Sequence, residues 1–263
     1  MSDARVRTAV DLNCDAGEGF GPWRMGDDGS LLEVVSSVNI ACGFHAGDEL
    51  IMRRTLSLAA ARGVSVGAHP GPRDLWGFGR RGIAGEPAAD LASAVLYQVG
   101  ALQALAAAEG TRVTHLKLHG ALSNRAAVDD ELAAAVAGCV VSLDTELAWL
   151  VPSGSAMVGA GTRAGIRTVA EVFADRAYAD DGTLLPRTTP GAVIEDPEAV
   201  AARALAMARH GAATAVSGRR LELAVDSICV HGDTPGAVAC ARAVRRELEA
   251  AGITVAPFAR AAG

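Results

Sequence analysis

The sequence predicts an α/β protein in which seven or eight (β/α) units form a distorted TIM-like barrel, as one domain over residues 1–263. Two observations support this. Strand-like apolar runs alternate with helical runs along the whole length, which is typical of parallel α/β folds. No Pro/Gly/Ser-rich linker divides the chain. One closed or nearly closed barrel therefore fits the pattern better than an open doubly wound sheet.

Residues typical of helix starts and helix ends place the predicted strands and helices along the chain. A first strand is expected at residues 10–15 and a second around Ile40, after which Asp48 can cap a helix that ends at Arg62 before Gly63. Further strands are expected at residues 64–68, 113–118, 147–151, 167–173, 227–230 and 253–255. Further helices are expected from Pro87 and Asp90 to Gly110, from Asp129 or Asp130, at 155–164, from Asp196-Pro197 to about His210, and from Thr234-Pro235 to Gly252.

Two segments interrupt the alternation. Residues 214–216 and 221–225, joined by Ser217-Gly218, are typical of a hairpin. Residues 174–191 have no regular pattern. Both indicate that the barrel is distorted.

Composition and charge limit the classes of function. Half of the residues are hydrophobic, and a chain of this length buries roughly three-quarters of its unfolded surface. A net charge of −6 without a long basic run argues against nucleic-acid binding, so we expect small-molecule partners. No stretch approaches the roughly 20 uninterrupted apolar residues of a membrane span, and residues 1–10 lack the apolar core of a signal peptide. We therefore expect a cytoplasmic protein without membrane contact.

Polar side chains lie at one face of the first predicted strand. Because side chains alternate along a strand, Asp11, Asn13 and Asp15 point the same way, into the barrel. Burying three polar groups is costly unless each is hydrogen-bonded or binds a ligand. A functional site and a purely structural polar network are both consistent with this pattern.

Histidines follow four of the predicted strands, at the ends where parallel α/β folds bind ligands: His45, His69, His119 and His231. Lys117 lies two residues before His119 and on the same face. One such histidine would usually be structural, but four at successive strand ends favour one composite site. His115 and His210 lack this context.

Several other side chains are candidates. Arg80 and Arg81 lie in a basic Gly-rich loop suited to a carboxylate or phosphate, unless it is simply solvated. Weaker candidates are Glu171, Asp175, Arg176 and Arg187, and no P-loop is present. If a metal binds, we expect Asp15, His45 and His69 to hold it.

The cysteines do not indicate a disulfide framework. There are five, an odd number, and none forms a CxxC pair. We expect buried free thiols; a nucleophilic cysteine is the less favoured alternative.

Long motif strings resemble the LamB/YcsF family over nearly the whole chain. They are Asp11-Leu-Asn-Cys-Asp15, Asn39-Ile-Ala-Cys-Gly-Phe-His-Ala-Gly-Asp48, Gly67-Ala-His-Pro70, Gly77-Phe-Gly-Arg-Arg81, Glu171-Val-Phe-Ala-Asp-Arg-Ala-Tyr178 and Cys229-Val-His-Gly-Asp-Thr-Pro235. Within Lys117-Leu118-His119-Gly-Ala-Leu-Ser123-Asn, Leu118 and Ser123 replace the Pro and Tyr usual in the family. The resemblance implies a seven-stranded barrel of the glycoside hydrolase/deacetylase superfamily.

The resemblance also implies an activity: that of the A subunit of the ATP-dependent 5-oxoprolinase. With subunits B and C, it would convert 5-oxo-L-proline, ATP (with Mg²⁺) and water to L-glutamate, ADP and phosphate. Our hypothesis assigns proton transfer to Asp15 or Glu18 and to His119, and charge stabilisation to Lys117. The substrate would contact these residues: Asp11, Asn13, His45, His69, Arg80, Arg81, Glu171, Arg187 and His231.

Two alternatives remain at this point. The chain could be a metal-dependent hydrolase or deacetylase of a small amide or carbohydrate. It could instead be a non-catalytic subunit that binds 5-oxoproline while B and C perform the reaction.

Overall fold

The structure, a computed structural model, describes residues 8–259. Its strands are β1 (Ala9–Ala16), β2 (Ser37–Ala41), β3 (Ser65–His69), β4 (Val113–Lys117), β5 (Ala148–Pro152), β6 (Thr168–Phe173), β7 (Ala212–Thr214), β8 (Arg220–Glu222), β9 (Ser227–Cys229) and β10 (Thr254–Val255). Its helices are α1 (Asp28–Leu31), α2 (Glu49–Arg62), α3 (Ala88–Ala108), α4 (Gly120–Ala126), α5 (Asp130–Leu143), α6 (Ala156–Ala164), α7 (Pro197–His210) and α8 (Ala237–Ala250).

Seven parallel strands close the barrel. β1 to β6 pair in sequence order, and β9 closes the ring by pairing in parallel with both β6 and β1. Ser227 of β9 lies opposite Glu171 on one side and Asp11 on the other. β10 pairs with Ala9 and Val10 of β1, beyond the end of β9, so it is not an eighth member of the ring.

The end signals place most helices as expected. Asp48 accepts hydrogen bonds from the amides of Leu50 and Ile51, and Gly63 ends α2 in the left-handed region, φ 67°. Asp196 caps α7 in the same way, with Pro197 in its first turn. The last helix differs from the prediction: α8 starts at Ala237 instead of Thr234-Pro235, because Gly236 takes a left-handed conformation, φ 81°. The short helices α1 and α4 were not expected.

The predicted hairpin is present as β7 and β8, an antiparallel pair outside the barrel. β7 begins two residues earlier than expected and has the expected length of three residues, whereas β8 begins one residue earlier and has three residues instead of five. The connection between β6 and α7, residues 174–196, contains no strand or helix, as its irregular sequence suggested.

The aliphatic core lies between the barrel wall and the surrounding helices. Leu12 and Cys14 of β1 are fully buried there, while Asp11, Asn13 and Asp15 alternate with them and face the barrel interior. Each of these three inward side chains is hydrogen-bonded. The barrel interior is therefore polar along β1, and the site is built from this interior.

Among the described residues one helix, α3, is long and apolar enough to cross a membrane by length and composition, with 21 residues and an 18-residue window of mean hydropathy 1.5. Such a helix was not expected from the sequence. Leu91, Val95, Val99 and Leu102 of α3 are buried in the main core, where the helix packs on α5, β3 and β4. Its apolar character is thus accounted for by packing within the barrel fold.

Candidate active site

The candidate site lies at the carboxyl ends of the barrel strands. His69 and Lys117 are the last residues of β3 and β4, and His119 follows Lys117 by two residues. His45 and Glu18 follow β2 and β1 in short connections. All five side chains are buried.

Lys117 is the only lysine in the chain. Its Nζ lies 2.8 Å from Asp15 Oδ1, 2.9 Å from Glu171 Oε1 and 3.1 Å from Cys229 Sγ. We call Asp15, Lys117 and Glu171 the lysine cluster. Burial is the largest single effect and opposes the charged form, but the acidic neighbours of the ammonium, Asp15 first among them, together outweigh it and hold the pKa of Lys117 well above its usual value. The amine is therefore a fixed positive charge inside the barrel.

Two amides hold the carboxylates of this cluster. Asn39 Nδ2 donates to Asp15 Oδ1 at 2.9 Å and to Asn13 Oδ1 at 2.8 Å, and Asn13 Nδ2 donates to Glu171 Oε1 at 3.0 Å. His115 Nε2 lies 3.0 Å from Asn39 Oδ1. Burial lowers the pKa of His115 to about 3, so this ring is neutral.

The second group consists of Glu18, His45, His69 and His119, which we call the histidine cluster. His69 Nε2 lies 3.0 Å from His119 Nδ1 and 3.4 Å from Asp15 Oδ2, which joins the two clusters. The ring of His45 stacks on that of His119, with centroids 3.7 Å apart. Glu18 Oε1 lies 3.7 Å from His45 Nε2 and 3.7 Å from His119 Nδ1.

Burial dominates the electrostatics of the histidine cluster. It lowers the pKa of His45 and of His119 well below the usual value, in each case with a neighbouring histidine acting in the same direction. Burial, together with the charge of Asp15, raises the pKa of Glu18 well above its usual value. Both imidazole rings are therefore neutral, and each has one N–H and one lone pair.

The segment at residues 71–79 covers the histidines closely. A Cβ at Gly71 would lie 2.4 Å from His45 Nδ1, and a Cβ at Gly79 would lie 2.7 Å from His119 Cδ2. Gly79 also has a φ of 63°. Only glycine fits at these positions, which explains Gly79 of the 77–81 motif in physical terms.

Charged side chains surround the mouth of the barrel. Arg80 Nη2 lies 2.8 Å from Asp233 Oδ2, and Arg187 Nη2 lies 3.6 Å from Asp233 Oδ1. The carboxylate of Asp175 accepts from the backbone amide of His231 at 2.9 Å and contacts the imidazole Nδ1 at 2.9 Å. The two guanidinium groups are suited to an anionic ligand.

The structure brings together most residues predicted from the sequence: Asn13, Asp15, Glu18, His45, His69, Lys117, His119 and Glu171, with Arg80, Arg187 and His231 at the mouth. Two predicted residues lie apart. Asp11 is four residues below Asp15 along β1, about 13 Å away, where Ser36, Ser37 and Ser227 donate to it. Arg81 pairs with Asp74 outside the barrel, and its side chain is 67% exposed.

Three residues that contact the site were not predicted: Asn39, His115 and Asp233. A signal for the first two was available. Asn39 alternates with Val38 and Ile40 on β2, and His115 lies two residues before Lys117 on β4, so both face the interior. Asp233 lies in an irregular connection, for which strand alternation gives no direction.

The five cysteines are all free, and Cys14, Cys42 and Cys229 are fully buried beside the site. Burial raises the pKa of Cys42 to about 12 and that of Cys229 well above its usual value. These thiols stay protonated, which favours a structural role over that of a nucleophilic cysteine.

Comparison with known proteins agrees with the fold and the motifs. A family model described as the LamB/YcsF family matches residues 10–263. A protein of Rhodopseudomonas palustris (strain BisB18), named as the A subunit of 5-oxoprolinase, is 56% identical over 252 residues, which cover 96% of this chain and 99% of the relative. The crystal structure of a lactam utilization protein from Thermus thermophilus is 44% identical with a TM-score of 0.89, covering 95% of this chain and 100% of that one.

A more distant solved structure, a T48 deacetylase with substrate, is 14% identical with a TM-score of 0.50, covering 97% of this chain and 90% of the deacetylase. At this identity the likeness concerns the fold alone. Together with the closed ring of seven parallel strands, it confirms the predicted fold class, a distorted (β/α) barrel of the deacetylase type.

Proposed function

The chain belongs to the LamB/YcsF family, and from this we propose that it is the A subunit of an ATP-dependent 5-oxoprolinase. In this proposal it converts 5-oxo-L-proline, ATP and water to L-glutamate, ADP and phosphate together with subunits B and C. The names of the relatives support a hydrolase that acts on a lactam. The observation that carries the proposal is a buried ammonium, Lys117, held between two carboxylates beside two facing imidazoles.

The reaction explains why such a site would be needed. A lactam is stabilised by amide resonance, and water at neutral pH attacks it slowly. Transfer of the γ-phosphoryl group of ATP to the lactam oxygen forms an O–P bond, releases ADP and removes that resonance. Water then adds to the ring carbon, and the ring nitrogen leaves with a proton. The acyl phosphate that results is hydrolysed to the carboxylate of glutamate and phosphate.

The two clusters match these charge and proton movements. Lys117 stabilises the negative charge that develops on the lactam oxygen and the phosphoryl group. Proton transfer falls to Asp15 or Glu18 and to His119: the ionised Asp15 accepts the proton of the attacking water, and Glu18, whose raised pKa keeps it protonated, supplies one to the ring nitrogen through the neutral ring of His119. Asn13, His45 and His69 orient the ring, since they adjoin these groups.

The mouth of the barrel suits the anionic parts of the substrates. 5-Oxoproline carries a carboxylate and ATP carries phosphates, and guanidinium groups bind both well. Arg80 and Arg187 supply this charge next to Asp233. We assign ATP with Mg²⁺ as the co-substrate; no P-loop sequence is present in this chain.

Access to the site requires movement. The side chains of Lys117 and His119 are only 6% and 5% exposed. The carbonyl of Phe78 lies 2.8 Å from His119 Nε2, so the segment at residues 77–81 lies over this ring. We expect assembly with subunits B and C to move this segment and admit 5-oxoproline.

The test is reconstitution from purified subunits. ADP and glutamate release from 5-oxoproline is measured with this chain alone, with B plus C, and with all three. We expect coupled release from the full set only. Full activity of B plus C without this chain would contradict the proposal.

A second candidate function is a metal-dependent hydrolase or deacetylase of a small amide or carbohydrate. The specific observation in its favour is the convergence of Glu18 and three histidines. Chelator-sensitive hydrolysis that needs no ATP would distinguish it from the first. A substrate-binding subunit without catalysis would instead give tight 5-oxoproline binding, with site variants that change affinity but not turnover.

A further inference from the structure

The outer nitrogens of two facing histidines both meet backbone carbonyls. His69 Nδ1 lies 2.9 Å from the carbonyl oxygen of Lys117, and His119 Nε2 lies 2.8 Å from that of Phe78. A carbonyl oxygen only accepts hydrogen bonds, so both outer nitrogens carry hydrogen. In the neutral rings, the inner nitrogens, His69 Nε2 and His119 Nδ1, therefore both present lone pairs.

These two lone pairs face each other at 3.0 Å. Two lone pairs do not form a hydrogen bond, so the arrangement requires a cation between them, either an added proton or a metal ion. Imidazoles that bind metals commonly donate their other N–H to a backbone carbonyl, which fixes the tautomer and aims the lone pair at the ion. Both rings have this arrangement.

A carboxylate completes the surroundings. The ligand atoms of Glu18, His45, His69 and His119 all lie within 4.8 Å of one another. Ligands bound about 2.0–2.1 Å from a tetrahedral ion lie roughly 3.3–3.4 Å apart. Two distances in the cluster lie on either side of this spacing. His69 Nε2 and His119 Nδ1 are 3.0 Å apart, and Glu18 Oε1 lies 3.7 Å from His119 Nδ1.

The formal charges point the same way. The two clusters bury three carboxylates, those of Asp15, Glu18 and Glu171, against one ammonium, Lys117. Asp15 and Glu171 share that ammonium, while the ion pairs of Glu18 within residues 8–259 are to histidines. An ionised Glu18 would therefore lack a cationic partner of its own, and a divalent cation bound here would supply one.

We propose that Glu18, His69 and His119 bind a divalent transition-metal ion such as Zn²⁺ or Mn²⁺. One carboxylate and two imidazoles are the ligands that such ions take in sites with an open position. When bound, the ion supplies a Lewis acid that polarises a carbonyl or phosphoryl oxygen.

His45 has a different place in this site. Its ring is nearly parallel to that of His119, at an interplanar angle of 4°, so both rings cannot aim a lone pair at the same ion. Its two nitrogens are buried and have no hydrogen-bond partner among the described residues. A buried polar group normally has such a partner, so we assign His45 to contact the oxygen ligand, water or substrate, at the open position.

The test measures metal binding directly and does not depend on the proposed substrate. The full chain is stripped with a chelator, and Zn²⁺, Mn²⁺ and Co²⁺ are titrated by calorimetry, with metal content checked by elemental analysis. We expect one equivalent to bind. Glu18→Gln, His69→Gln and His119→Gln should each weaken binding by at least about 100-fold, more than loss of an outer-shell partner does.

Two controls separate the site from other histidines and carboxylates. His210→Gln, at the end of α7, and Asp130→Asn, in the first turn of α5, are at exposed positions outside the site and should leave the affinity unchanged. Circular dichroism of the metal-free variants checks that each is folded. Absence of stoichiometric binding, or equal weakening in the control variants, would overturn the proposal.

A measurement on the wild-type chain covers the case in which site variants fail to fold. Crystals soaked in Zn²⁺ should show an anomalous peak between His69 Nε2 and His119 Nδ1. An anomalous peak only elsewhere, or ¹⁵N spectra in which these nitrogens share a proton at saturating Zn²⁺, would also overturn it. Activity enters none of these readouts, so failure to bind metal leaves the 5-oxoprolinase proposal standing. A bound ion would instead leave Asp15 as the proton-transfer group, because Glu18 and His119 Nδ1 would hold the ion while His119 Nε2 donates to the carbonyl of Phe78.

Discussion

The Lys117 ammonium lies 2.8 Å from the Asp15 carboxylate, although the two residues are 102 positions apart in the chain. β1 and β4 bring them together inside the barrel because both side chains face inward at the carboxyl ends of parallel strands. Burial removes the water that would otherwise screen this pair. The contact therefore contributes both to the stability of the fold and to the proposed chemistry. Substitutions can separate these two contributions.

Replacing Lys117 with methionine should reduce both stability and activity. Lys117→Met keeps the approximate volume but leaves Asp15 and Glu171 buried without their cation, which typically costs about 3–5 kcal/mol. Urea unfolding measures the loss. The double variant Asp15→Asn with Lys117→Met should recover part of the stability, since one unpaired charge is removed, but none of the activity. Equal stabilities of Lys117→Met and the wild type would contradict this account.

The Asp11 carboxylate should make stability depend on pH in a defined direction. Burial raises the pKa of Asp11 from 3.8 to about 6, against the opposing hydrogen bonds of three serines. The folded state then binds more protons than the unfolded state between these values, so stability falls as pH rises from about 4 to about 6. The total loss is about 3 kcal/mol if the other groups stay constant.

Asp11→Asn removes this titration while keeping the shape. The stability of the variant relative to the wild type should therefore improve as the pH is raised from 4 to 7. Denaturant unfolding of both proteins across this range gives the difference, and Asp90→Asn, at an exposed position in the first turn of α3, serves as the control. If the difference in unfolding free energy between the two proteins does not change with pH, the pKa of Asp11 is not raised in the folded state.

Arg80 and Arg81 should behave differently although they are adjacent. The side chain of Arg80 contacts Asp233 at the mouth, whereas Arg81 pairs with Asp74 outside it. In the reconstituted complex, Arg80→Gln and Arg187→Gln should raise KM for 5-oxoproline or ATP by about 10-fold to 100-fold, the range expected for losing a charge-assisted contact. Arg81→Gln should leave KM within about two-fold. A large effect of Arg81→Gln alone would reverse the assignment.

The glycines that cover the histidines should not tolerate a side chain. Gly79→Ala places a Cβ against His119 and His45 at a φ of 63°, so it should displace both rings and lower activity by at least about 10-fold. Gly82→Ala is the matched control, because no atom lies within 4 Å of its Cβ position. Turnover of the reconstituted complex and thermal unfolding are measured together. If both alanine variants are equally active, close packing of Gly79 against the two histidines is not required for activity.

The sequence was sufficient for the parts of the molecule that local rules determine. Caps such as Asp48 and Asp196 located helix starts, and alternation along β1 oriented Asp11, Asn13 and Asp15 correctly. Alternation does not show how far along the barrel axis a side chain lies. Asp11 and Asp15 face the same way, but only Asp15 lies at the carboxyl end of β1, where the site is.

The remaining features depend on three-dimensional details that local rules do not specify. Phe78 and Gly79 both have positive φ, so the chain turns just before Arg80 and Arg81, and the sequence could not tell which arginine faces the mouth. Asp175 and Asp233 contact the site from irregular connections. Their positions follow from tertiary packing, in particular from the closure of the barrel by β9.

The most direct test of whether this barrel opens the lactam is the rate of glutamate release by the three-subunit complex that contains Asp15→Asn. The variant retains the size of the side chain but removes the charge that pairs with Lys117, 2.8 Å away. If the barrel interior of this chain carries the lactam-opening step, the rate should fall by at least about 100-fold, or about 2.7 kcal/mol in the barrier, while the complex still assembles. A folded, assembled Asp15→Asn complex that releases glutamate at the wild-type rate would contradict the account.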